Sequence, residues 1–82
     1  MDVIAQKVAQ LLAMDVHEVW QPGKYKRLVT ARSLLCFWAV RELGESMASI
    51  GRRLGISTVA VSKSVARGEG IAKINGYLLT LS

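Results

Sequence analysis

The sequence predicts an all-α fold, a compact helical bundle built around one long buried helix. Three observations lead there. Val3, Ile4, Val8, Leu11 and Leu12 recur at the spacing of one helix face. The run from Leu34 to Val40 is apolar at every position, as a helix surrounded by others would be. No segment alternates apolar and polar residues with the period of two that a half-buried strand shows. With 82 residues, 51% of them hydrophobic, the chain can form one core without disulfide or metal staples. Its single cysteine, Cys36, excludes an internal disulfide and, inside the apolar run, predicts a buried thiol in a reducing compartment. The apolar run is also far shorter than the ~20 residues that a bilayer requires, and no stretch reads as a signal peptide.

The elements follow in order. A first amphipathic helix is expected over about residues 2–13. Asp15 can cap a short second helix through His17 to Trp20, which Gln21, Pro22 and Gly23 end. Lys24, Tyr25, Lys26 and Arg27 then form a compact basic cluster, with Tyr25 expected to pack. A long helix over about residues 27–43, closed by Gly44, is the predicted spine. Arg32 and Arg41 belong to it, and Glu45 stands four residues from Arg41 as its expected partner.

Beyond the spine, Ser46 is a fair N-cap for a short helix in which Ile50 and Leu54 share a face. Gly51 leaves room for a closely approaching neighbour, and Gly55 sits where a turn needs positive φ. Ile56 begins the return. Ser57 or Thr58 can cap the next helix, expected over about residues 57–67, with Val61 and Val65 inside. Thr58, Val59, Ser62, Lys63, Ala66 and Arg67 are left for its outer face. Gly68-Glu69-Gly70 is expected to stop that helix, which divides the chain into a domain at 1–70 and an apolar tail at 71–82. The tail holds Ile71, Ile74, Tyr77, Leu78, Leu79 and Leu81 without clear periodicity.

Two short helices joined by a glycine turn are either a plain αα-hairpin or a helix-turn-helix that reads DNA. Charge favours the second. Residues 1–23 carry one lysine against three carboxylates, a net −2. Residues 24–82 carry ten cations against three glutamates, a net +7, and contain the candidate motif. The expected DNA-contacting residues are Lys24, Lys26 and Arg27 in the basic loop, Arg52 and Arg53 on the first motif helix, and Ser57, Thr58, Val59, Ser62, Lys63 and Arg67 on the second. The loop and the first helix suit phosphates or a neighbouring minor groove, and the second helix suits a major groove.

Catalytic chemistry finds no foothold. His17, the single histidine, reads as structural; with one histidine and one cysteine there is no zinc-binding set, and no carboxylate pair has metal-ligand spacing. A Ser-His-acid triad would depend on His17 alone, and no glycine-rich phosphate loop follows a strand. The expectation is a non-enzyme without metal or cofactor.

The segments ARSLLCFWAVRELG, IGRRLG and TVAVSKSV, with the opening helix and the basic loop, resemble the C-terminal DNA-binding domain of the bacterial replication initiator DnaA. That domain belongs to the TrpR-like helix-turn-helix group, and the resemblance covers about residues 2–67. It implies that the loop contacts minor groove and backbone while the last motif helix reads the major groove. The initiator carries an Asp-His-Thr run at the head of its reading helix, where this chain has Ile56, Ser57 and Thr58, which implies a target other than an initiator box. Val61-Ser62 and Arg67-Gly68-Glu69 look more like the variant at the C-terminal end of REP-associated tyrosine transposases. The implied role is the DNA-targeting module of such a transposase, at the bacterial nucleoid in the cytoplasm. The implied partner is double-stranded DNA, with a homodimer left open and neither metal nor membrane. The alternatives are a TrpR-like transcriptional regulator, a DnaA-related replication factor, or a protein-interaction module that uses the apolar tail.

Overall fold

The computed structural model describes residues 2–21, 23 and 25–78. Among these, five helices form an all-α fold: α1 (Asp2–Leu12), α2 (Val16–Trp20), α3 (Lys26–Leu43), α4 (Met47–Leu54) and α5 (Thr58–Asn75). Side-chain caps set most of the starts. Asp15 Oδ1 accepts the His17 amide at 2.8 Å, Ser46 Oγ accepts that of Ser49 at 3.1 Å, and Ser57 Oγ accepts that of Ala60 at 3.1 Å. Each satisfies an amide that the first turn of a helix leaves without a partner.

The spine is α3. It packs most extensively on α5 and also on α1 and α2, while α4 packs on α5. Leu34, Leu35, Cys36 and Ala39 of α3 are fully buried with Ile4, Ala5 and Val8 of α1, Val19 of α2, Ile50 of α4 and Val61 of α5. Each large aliphatic side chain among them contributes roughly 1.5–3 kcal/mol by leaving water. Ser33 lies in the same interior at no polar cost, because its hydroxyl donates to the Val29 carbonyl at 2.7 Å. Among the described residues no helix is long and apolar enough to cross a membrane.

Three local expectations are corrected. Gly68-Glu69-Gly70 does not stop the last helix: α5 runs through it to Asn75 and ends at Gly76, whose φ is 67°. Two internal glycines cost about 1 kcal/mol each in an isolated helix, but here tertiary packing overrides propensity. A Cβ on Gly68 would lie 2.1 Å from the Ser33 carbonyl oxygen and 2.7 Å from Phe37 Cβ, so glycine alone lets α5 cross α3 this closely. Residues 70 and 71, where the domain was expected to end and the tail to begin, are therefore consecutive residues of one helix. Ile71, Ala72 and Tyr77 pack on the core, while residues 79–82, with Leu79 and Leu81, lie outside the described residues.

Arg41 is not paired with Glu45. Its guanidinium meets Glu69 Oε2 at 2.6 Å, and Lys73 approaches the other oxygen at 3.5 Å, so Glu69 ties α5 to α3 in the middle of the expected break. Tyr25 does not pack either. It precedes α3 with 78% of its surface exposed and no side-chain cap bond.

Candidate functional site

The link between α4 and α5 is short and rigid. Gly55 takes φ 70°, which glycine alone adopts without a steric penalty, and the Ile56 amide closes onto the Gly51 carbonyl at 2.9 Å. A Cβ on Gly51 would come within 2.7 Å of the Ile56 carbonyl oxygen and 3.6 Å of Val61 Cγ2. That glycine admits the turn backbone itself and lets α5 start close against α4. Ile50 and Val61 are fully buried on either side, with Leu54, Ile56 and Val65 packed round them.

With Val61 and Ser64 turned inward, Ser57, Thr58, Val59, Ser62, Lys63, Ala66 and Arg67 are exposed. Val59 is 62% exposed, an aliphatic side chain held in water at the head of the helix. The expected outer face of α5 therefore exists as one continuous strip.

The basic residues separate into two groups. Arg27 is paired with Glu18, Arg41 and Lys73 share Glu69, and Arg53 is paired with Asp2. Arg53 also lies over the Trp20 ring at 4.6 Å from its centroid, so its guanidinium staples α4 to α1 and α2. Lys26 and Arg52 are exposed and form no ion pair among the described residues, and Lys24 lies outside them.

The second group is gathered. Arg32, Lys63 and Arg67 line one cleft of about 450 Å³ between α3 and α5, with Gly23 at its edge and Ile56 and Ala60 on its walls. Among the described residues no carboxylate lines this cleft. Among the described residues Arg32 donates one bond, through Nη2 to the Gly23 carbonyl at 3.3 Å, which ties Gly23 to the spine. The cleft thus joins the two places expected to touch DNA, the loop and the second motif helix. Arg32 was not among the expected contact residues. Its sequence signal is a cation two residues ahead of the apolar run Leu34 to Val40 in the spine helix.

Arg32 reaches inward as well. Burial pushes the Cys36 thiol, one turn further along α3, up to about 11, and the Arg32 charge pulls in the opposite direction. Such a thiol carries almost no thiolate at neutral pH and is a poor nucleophile. His17 is exposed at the start of α2, and among the described residues no three His, Cys, Asp or Glu side chains are grouped to hold a metal ion. Comparisons with family models, with curated proteins and with solved structures find no match to this chain.

Proposed function

We propose that this chain binds double-stranded DNA sequence-specifically, with α4 and α5 acting as a helix-turn-helix, as the targeting domain of a transposase. One observation carries the reading: Arg32, Lys63 and Arg67 line a single cleft with no carboxylate among the described residues, next to the exposed strip of α5. The four ion-paired cations lie elsewhere. A polyanion is the natural counterpart of such an arrangement, and a solvent-facing strip of a helix suits a major groove. In this reading α5 supplies base contacts through Thr58, Val59, Ser62 and Lys63. Arg67, Arg52 and, in the first turn of α3, Lys26 and Arg27 meet phosphates, and Lys24 belongs to the loop contact. Arg53 serves the fold instead. The role is binding alone, with no catalytic group, metal or cofactor supplied by this chain.

The transposase assignment rests on the resemblance of the Val61-Ser62 and Arg67-Gly68-Glu69 segments to REP-associated enzymes. A DnaA-related replication factor or a TrpR-like regulator would use the same surface. Selection from random duplex DNA at moderate salt tests all three. A recovered hairpin-flank motif supports the transposase module, an initiator-like box supports DnaA kinship, and no enrichment overturns sequence-specific binding. If about five phosphates are neutralised, log affinity falls with log salt at a slope near −4 to −5. Salt-independent affinity overturns the electrostatic part.

A specific observation favours a second reading, a protein-interaction surface. Ile74 and Leu78 are 85% and 82% exposed, and Leu78 borders a groove of about 460 Å³ lined also by Phe37, Trp38 and Tyr77. Replacing Ile74 and Leu78 with serine separates the two readings. Loss of self-association or of a partner with DNA binding intact assigns this surface to protein.

A further inference from the structure

Building on the DNA-binding reading, we propose that the Arg32 cleft seats one deoxyribose-phosphate unit of the bound strand, with Arg32 as its phosphate anchor. Three features lead to this occupant. First, a guanidinium offers five N–H donors in a planar fork, and the one hydrogen bond found for Arg32 is a long one, 3.3 Å to the Gly23 carbonyl. The remaining donors sit in a cleft where Lys63 and Arg67 add two more positive charges and no acid among the described residues balances them. An anion suits this arrangement, and phosphate matches the fork geometry in two parallel bonds.

Second, the cleft is too large and too apolar for a bare anion. Its volume of about 450 Å³ exceeds by an order of magnitude the ~30 Å³ that one water molecule occupies in the liquid. Its walls include Ile56 and Ala60. A free phosphate would meet the cations and the Ser64 hydroxyl and leave the Ile56 and Ala60 walls wet. A phosphate carrying a deoxyribose places the sugar carbons against Ile56 and Ala60 while its charged oxygens stay with the arginines.

Third, the cleft is bounded on one side by Gly23 and on the other by α5. A strand that touches both Gly23 and the exposed strip of α5 crosses it. Arg32 then does two jobs: it holds Gly23 in the free protein and joins loop and helix to the same phosphate in the complex.

The experiment titrates the isotopically labelled full chain with inorganic phosphate, 2-deoxyribose 5-phosphate and 2-deoxyribose, and follows the Arg32 Nε–H and Ala60 methyl signals. The sugar phosphate is expected to move both signals together and to bind several-fold more tightly than inorganic phosphate. Arg32→Gln is expected to weaken it about tenfold, as loss of a charged hydrogen-bond donor does, and Arg32→Lys, which keeps the charge but not the fork, to fall between. On duplex DNA, Arg32→Gln is expected to lower the salt slope by about one and to leave the ranking of sequences unchanged. Equal binding of the two phosphates with a silent Ala60 methyl overturns the proposal, as does duplex binding by Arg32→Gln with an unaltered slope. The second result leaves the DNA-binding reading standing. A sugar phosphate that titrates the cleft of a chain unable to bind duplex overturns the DNA reading and supports the seat. The wild-type titration holds even if a variant does not fold.

Discussion

The backbone of Ser33 passes so close to Gly68 that a Cβ added there would lie 2.1 Å from the Ser33 carbonyl oxygen. Helix α5 is therefore seated on the spine by backbone contact, and the crossing point falls inside the Gly68-Glu69-Gly70 segment that reads locally as a stop.

The two glycines of that segment should behave oppositely. Gly68→Ala forces α5 away from α3 and is expected to destabilise the fold by about 3 kcal/mol, the upper end of overpacking costs. Gly70 has no atom within 4 Å of an added Cβ. Gly70→Ala is expected to stabilise by about 0.5–1 kcal/mol through helix propensity. Urea unfolding of both variants measures the contrast, and similar values would show that the crossing is not tight.

Arg53 and Lys63 should divide stability from binding. Arg53→Ala removes the Asp2 pair and the Trp20 contact, both largely in solvent, at a cost of about 1 kcal/mol of stability. Its duplex affinity is expected to change less than twofold. Lys63→Ala is expected to leave the melting temperature unchanged and, if Lys63 reads a guanine, to cost roughly 1–3 kcal/mol of binding while relaxing sequence choice. Thermal melts and anisotropy titrations on one panel of variants read both, and a reversed pattern would exchange the two assignments.

Stability should fall in alkali through Cys36. The thiol is raised from 9.0 to about 11 by burial in the folded chain. Between those values the unfolded chain loses the proton while the folded chain keeps it. Folding is thus fully supported below pH 9 and weakened as pH climbs toward 11, by roughly 2–3 kcal/mol in total. Comparison with the pH profile of Cys36→Ala isolates this contribution. Arg32→Gln should push the thiol higher still, since it removes the one opposing charge.

Capping at the head of α5 offers a further check. Ser57→Ala leaves the Ala60 amide without its 3.1 Å partner and is expected to cost about 1 kcal/mol. Hydrogen exchange should speed up in the first turn of α5 and not in α1. Uniform acceleration would mean that α5 does not unfold locally from this end.

What was legible in the chain was local. Asp15, Ser46 and Ser57 cap the helices they were expected to cap, Gly55 makes the turn with positive φ, and Ile50 and Val61 face inward, because each depends on neighbours within a few residues. The rest depended on contacts between distant residues. Gly68 reads as a breaker until Ser33 and Phe37 are placed against it. Arg41 has Glu45 four residues away, yet binds Glu69 across the helix crossing. Arg32 gains its candidate role only when α5 brings Lys63 and Arg67 to the same cleft. Tyr25, aromatic and next to the spine, gave no local sign that it would stay in water.

Along α5 the residues that hold the fold and those that face solvent are interleaved and do not overlap. Val61, Ser64, Gly68 and Ala72 face the interior, while Thr58, Val59, Ser62, Lys63, Ala66 and Arg67 belong to none of the core. One helix thus carries two separable alphabets. A combinatorial library confined to positions 58, 59, 62, 63 and 66 should yield mostly folded members, so that the surface strip changes freely while its scaffold stays still.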